Sequence, residues 1–193
     1  MSDGDSSSLR VLLERVGQGE ESAIAALLEH AYERLRILAR AIFRKEFPRL
    51  AKIHDTGSIL DEAVLRLYQA LSKVQPATPR DFFGLASMHI RWVLLDLARR
   101  QQGEAAAKAM NGTAEPIDPG GEPIEQAIWT EFHRYVEQLP ADEREVVDLH
   151  FYQGFTLAET AELMGTSKST LTRQWVRVQM RLKNALPWWD GEW

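Results

Sequence analysis

The chain has 193 residues, 45% of them hydrophobic, with 23 basic and 28 acidic side chains and a formal net charge of -5. That is enough apolar material for one large core or two small ones, and the lack of cysteine excludes disulfides, thiolate metal sites and cysteine nucleophiles. The start, "MSDGDSSSLR", has no apolar signal-peptide core and no later run approaches a membrane span, which predicts a soluble, cytoplasmic protein without a membrane partner.

The charge is segregated along the chain. Residues 1–103 carry 15 basic and 13 acidic side chains, residues 104–166 carry 3 and 13, and residues 167–186 carry 5 basic and no acidic ones. A strongly acidic segment therefore precedes a short basic stripe.

Apolar residues recur at helical spacing almost throughout and strand-type alternation is absent, so the fold class is all-α. "GQGEES" at Gly17 lacks the glycine spacing of a dinucleotide loop and reads as a turn between helices. Ile24, Leu27, Leu28, Ala31, Leu35, Leu38 and Ile42 predict a first long helix that ends before Pro48. Leu60, Val64, Leu67 and Leu71 predict a second, with Ser58 as its N-cap. After the Pro-bounded loop "KVQPATPRD", Phe83, Ala86, Ile90, either Val93 or Leu94, and Leu97 predict a third.

From Gly103 to Pro123 Gly and Pro reach turn-forming density and large apolar residues are few, as in a flexible linker. Helical spacing resumes at Ile124, Ile128, Phe132, Val136 and Leu139, and a further helix follows Pro140. Two small helical domains joined by a linker are the simplest expectation.

"LAETAELMGTSKSTLTRQW" predicts a helix from about Thr156 to Met164, a turn at Gly165 and a second helix from about Ser167 to Leu186. Ala161 is small where the helices must approach, and Gly165 can take the positive φ of a tight turn. Leu171, Trp175, Val178 and Leu182 form the inward stripe, which leaves Lys168, Ser169, Thr172, Arg173 and Arg177 outward beside a helix N-terminus. This is the layout of a helix-turn-helix reader of the DNA major groove.

The sequence offers no enzyme signature. "GTSKST" has no preceding strand and no P-loop spacing, and the five histidines are scattered without a metal-ligating motif. No catalytic residue, metal or cofactor is expected. The third helix instead combines Phe82, Phe83 and Trp92 with Arg80, Arg91, Arg99 and Arg100, a pattern suited to single-stranded nucleic acid, with Phe83 better read as core.

Two blocks together resemble the sigma-70 family of bacterial transcription initiation factors, in its compact extracytoplasmic-function (ECF) type. "LPADEREVVDLHFYQGFTLAETAELMGTSKSTLTRQWVRVQMRLKNAL" is similar to the fourth sigma domain, and "HDTGSILDEAVLRLYQAL" with "DFFGLASMHIRWVLLDLARR" is similar to the second. The resemblance implies a second-domain unit at 9–102, a linker at 103–123, a fourth-domain unit at 124–187 and a Trp-rich tail at 188–193. It implies a non-enzymatic subunit that binds core RNA polymerase, through the β′ clamp helices and the β subunit, and directs it to promoter DNA.

By position, the resemblance assigns Asp55, Ser58, Asp61, Glu62 and Arg66 to polymerase docking. It assigns Lys73, Arg80, Phe82, Arg91, Trp92 and Arg99 to the minus-10 element, and Ser167, Lys168, Ser169, Thr172, Arg173 and Arg177 to the minus-35 element. Where relatives carry an acidic run before the docking helix, this chain has "DTGS", Asp55 to Ser58, which keeps only the first acid. A phosphate on Thr56 or Ser58 would restore negative charge there, so a Ser/Thr kinase joins an anti-sigma factor as a candidate regulator. Two other readings stand beside this one: a free-standing helix-turn-helix regulator, which leaves the first three helices without a role, and a helical adaptor or anti-sigma-like protein whose basic stripe meets an acidic partner. The tail "PWWDGEW" either covers the end of the last helix or docks on a regulator.

Overall fold

The computed structural model describes residues 3–29, 32, 36, 56–110 and 122–189. Helix α1, Asp3–Gly17, was not among the helices predicted from spacing, and it buries Leu9, Leu13 and Val16, one face at helical spacing. Gly19, with φ +81°, turns the chain into α2, residues 21–29, which buries Ala23, Ile24, Leu27 and Leu28. The expected end of this helix before Pro48 lies outside the described residues.

Helix α3, Thr56–Leu71, buries Leu60, Ala63, Leu67 and Leu71. It begins two residues before the predicted cap, so Ser58 sits inside the first turn and not at its N-cap. Helix α4, Pro79–Met110, is longer than expected: residues 103–110, read as linker, continue it. Thr78 and Asp81 open it by reciprocal capping. The Asp81 amide donates to the Thr78 hydroxyl oxygen at 3.1 Å, and the Thr78 amide donates to the Asp81 carboxylate at 3.2 Å. Pro79 takes the first helical position, where its missing N–H costs nothing.

The second half comprises α5, Glu122–Gln138, α6, Ala141–Val147, a π-helical turn, Asp148–Tyr152, α7, Leu157–Leu163, and α8, Lys168–Ala185. Trp189 then folds back into the core, while Trp188 donates from Nε1 to Glu131 at 3.4 Å. This part of the tail covers the end of the last helix, and residues 190–193 lie outside the described residues.

The buried apolar residues form one continuous cluster from Leu9 to Trp189. Helix α4 is the reason. Phe82 and Phe83 are both buried, as are Val93, Leu94 and Leu95. Consecutive residues on a helix point about 100° apart, so such runs bury more than one face. One side of α4 packs on α3 and α1, and another receives α5 and the π-turn.

Candidate nucleic-acid interface

The α7–α8 pair is built from local signals that agree. Thr156 caps α7 through a full capping box: the Glu159 amide donates to the Thr156 hydroxyl at 3.2 Å, and the Thr156 amide donates to the Glu159 carboxylate at 2.9 Å. At the other end, Gly165 has φ +65°. Its amide donates to the Glu162 carbonyl at 3.1 Å and the Thr166 amide to the Ala161 carbonyl at 2.9 Å, the paired bonds of a Schellman stop. Ser167 then caps α8 by accepting from the Thr170 amide at 3.1 Å.

Leu171, Trp175, Val178 and Leu182 of α8 are all buried, as their spacing predicted, and Trp175 meets the His150 ring edge-on at 4.8 Å. Ser167, Lys168, Ser169, Thr172, Arg173 and Arg177 are all exposed. The Thr172 hydroxyl donates back to the Lys168 carbonyl at 2.8 Å, which directs it along the helix. Among the described residues Lys168, Arg173 and Arg177 make no ion pair, whereas Arg181, further along α8, is tied to Glu143 at 2.8 Å. Three unneutralised cations beside a capped helix N-terminus form a surface that attracts polyanions.

The residues assigned to the minus-10 element are distributed differently. Lys73 and Arg99 are exposed, and Trp92 is 41% exposed. Phe82, at 0% exposure, lies in the core, in edge contact with Phe83 at 5.3 Å, because its position on α4 faces the neighbouring helices. Arg91 is only 3% exposed: it pairs with Asp148 and lies over the Tyr152 ring at 5.4 Å. Arg80 makes a two-pronged pair with Glu145, one prong at 2.7 Å.

A seam between α4 and the second half thus runs through these residues. Trp92 donates from Nε1 to Glu137 at 3.2 Å, and the same carboxylate stands 4.0 Å from Arg91. Ser87 donates to the Asp148 carbonyl at 3.0 Å and accepts from Gln153 at 2.9 Å. Phe83 and Phe155 close one end, ring to ring at 4.8 Å. A cleft of about 550 Å³ lies along the seam, with Val74, Arg80, Met88, Trp92 and Glu145 in its walls.

Burial pushes the Asp148 carboxyl above its ordinary range, and the Arg91 guanidinium pulls the other way. Glu137, Glu145, Asp148 and Gln153 carry no motif, so sequence reasoning passed over them. The available signal was the triple apolar run of Val93, Leu94 and Leu95, which marks a helix covered on more than one side.

The residues assigned to docking lie on or near α3. Asp61 accepts a hydrogen bond from the Tyr32 hydroxyl at 3.2 Å. Glu62 accepts from Arg66 at 2.7 Å and from Arg100 at 3.0 Å, and Arg66 also reaches Asp96 at 2.7 Å, a network that fastens α3 to α4. Asp55 lies outside the described residues, as do the side chains of Thr56 and Ser58. No His, Asp or Glu cluster of metal-binding geometry occurs among the described residues, and no helix there is long and apolar enough to cross a membrane.

An all-α chain with a capped helix-turn-helix, and an acid-free basic face on its second helix, has the architecture of a DNA-reading protein. A family model described as ECF sigma factor matches residues 6–187, and the chain belongs to that family. A probable RNA polymerase sigma factor, RfaY, from Xanthomonas campestris pv. campestris is 30% identical over 135 residues, which cover 66% of this chain. The chain spans about a third of that relative's length, with 33% covered.

Proposed function

We propose that the chain binds core RNA polymerase and directs promoter-specific transcription initiation, with the first half meeting the minus-10 element and α8 reading the minus-35 element. The observation that carries this reading is the exposed face of α8. Arg173 and Arg177 stand one helical turn apart, free of carboxylates, beyond a turn fixed by Gly165 and Ser167. A side chain on such a face reaches base edges, while Lys168 and Ser169 at the helix start suit phosphate.

The net charge of -5 supports delivery by a larger assembly. Non-specific DNA affinity is largely electrostatic, and a reader carried to the promoter by polymerase does not need to supply that attraction itself. Docking would use Asp61, Glu62 and Arg66 on α3, with Asp55 and Ser58 beside them. Lys73, Arg80, Arg91, Trp92 and Arg99 would meet the minus-10 strand, with Phe82 behind them. In this reading a phosphate on Thr56 or Ser58, in the first turn of α3, strengthens docking by adding charge to a helix N-terminus that favours it.

Mixing the protein with core polymerase and a promoter library from its source organism tests this. Melted DNA near position minus-10, dependent on both protein and polymerase, is the expected result. Duplex binding without polymerase points instead to a free-standing regulator, and neither activity points to an adaptor. Polymerase affinity should rise in T56E or S58E over the alanine variants, and equal affinities would remove the phosphate switch.

A further inference from the structure

We infer that the cleft shared by α4, α5 and α6 is a binding site for a small zwitterion, an α-amino acid with a large apolar side chain. Its volume of about 550 Å³ falls in the range of small-molecule sites. Val74 and Trp92 in its walls are left 54% and 41% exposed, and Leu85 and Met88, which line it too, are half-buried. These side chains give the cleft an apolar surface still open to water.

Gly84 lies inside α4 and lines the same cleft, and a Cβ there would meet nothing within 4 Å. A glycine in a helix interior costs about 0.5–1 kcal/mol relative to alanine, and no packing neighbour requires this one. Bare backbone at that point lets a ligand lie close against the helix.

The polar groups of the walls set the ligand's charge. Glu145 and Asp148 are paired with Arg80 and Arg91, and Asp81 is taken up in capping α4. Arg144 and Glu137 remain. Among the described residues Arg144 makes no ion pair, and its guanidinium donates to the Glu137 carbonyl at 3.2 Å. The Glu137 carboxylate accepts from the Trp92 indole at 3.2 Å and stands 4.0 Å from Arg91, which leaves acceptor capacity unused. A cation without a counter-ion and a carboxylate with spare lone pairs, on neighbouring stretches of chain, match the two ends of a zwitterion. The ligand carboxylate would take the Arg144 fork, and its ammonium would sit between Glu137 and the Trp92 ring. Its side chain would then lie over Gly84 against Leu85 and Met88.

Titration of the full chain with L-phenylalanine and with L-leucine tests this, followed by the Trp92 indole N–H resonance, assigned with W92F, and by the melting temperature. Both ligands should shift the resonance saturably and raise the melting temperature. Hydrocinnamate, which lacks the ammonium, phenethylamine, which lacks the carboxylate, and glycine, which lacks the apolar side chain, should each bind about tenfold more weakly than L-phenylalanine. Arg144→Ala and Glu137→Gln should each weaken L-phenylalanine by about the same factor, about tenfold, while Lys183→Ala, at an exposed position on α8, should leave it unchanged. Gly84→Leu fills the cleft from the α4 side, and it should keep full helical circular dichroism and abolish binding.

The absence of a saturable shift with either amino acid up to about 10 mM overturns the site, and so does binding that survives in folded G84L. Affinity for hydrocinnamate or phenethylamine equal to that for L-phenylalanine overturns the zwitterion. Where a variant loses helix content, the comparison of ligands on the unaltered protein decides. None of these outcomes depends on open-complex formation, so the site and the initiation role stand or fall separately.

Discussion

His133 of α5 and Tyr152 of the π-turn meet side chain to side chain inside the protein, Nδ1 to Oη at 2.5 Å. Burial, with a smaller contribution from the Arg91 charge, holds the His133 imidazole down to about 3, so it stays neutral in the folded state. Burial also pushes the Tyr152 hydroxyl up, and it too stays neutral.

Stability should therefore fall as the medium is acidified. Between about pH 6.5 and about pH 3 the unfolded chain binds a proton at His133 that the folded chain refuses, so this residue's contribution is complete above the unfolded value and is lost as pH drops. The slope approaches about 1.4 kcal/mol per pH unit below the ordinary histidine value. Urea unfolding of the protein and of His133→Asn across this range isolates it. The difference between the two should depend on pH, and a constant difference would mean His133 is protonated when folded.

Gly165→Ala should destabilise the protein without crowding it. A Cβ there meets nothing within 4 Å, yet φ is +65°, so the cost is backbone strain of about 1–2 kcal/mol. Equilibrium unfolding measures it, and a neutral substitution would mean the turn relaxes to negative φ.

Thr156→Ala removes the side-chain half of the α7 capping box and should cost about 1 kcal/mol, while Thr156→Ser, which keeps the acceptor, should stay close to the parent. The same unfolding experiment compares them. Equal losses in both would assign the effect to the threonine methyl.

The two tail tryptophans should separate. Trp189 is 4% exposed within the core, so Trp189→Ala should cost about 3–5 kcal/mol. Trp188 is half-buried against the edge of the same core and donates to Glu131, so its removal should cost less than that of Trp189. Thermal unfolding of each variant distinguishes them.

Arg173→Ala should lower promoter binding and relax the minus-35 preference, by about 1–3 kcal/mol at the base it reads, whereas Lys168→Ala should weaken all sequences evenly. Selection from a randomised minus-35 library with the polymerase-bound protein measures both. Unchanged selectivity in R173A would overturn the assigned orientation of α8.

Local chemistry was the legible part of this chain. Thr156, Gly165 and Ser167 announce their helix ends by side-chain acceptor and backbone freedom, and Leu171, Trp175, Val178 and Leu182 announce the inward stripe by spacing alone. The minus-35 candidates consequently fall together on one exposed face. The seam was not legible, because its partners are 45 to 72 residues apart and no local pattern ties Arg91 to Asp148 or Phe83 to Phe155. The choice between Val93 and Leu94 as the inward residue marked the place where the single-face reading failed: both are buried, and so is Leu95. Helix α1 was missed because its first residues, Asp3 to Ser8, are polar.

The shared position of α4 sets an order of assembly. Synthesis runs from the N-terminus, so α1, α3 and α4 are complete before α5 to α8 exist, and the ion pairs that join α3 to α4, Arg66 to Asp96 and Arg100 to Glu62, span less of the chain than those of the seam. During that interval Phe83, Ser87 and Arg91 stand uncovered on a finished helix. The second half then condenses on a preformed template, and a substitution at Ser87 should delay that later step more than the first.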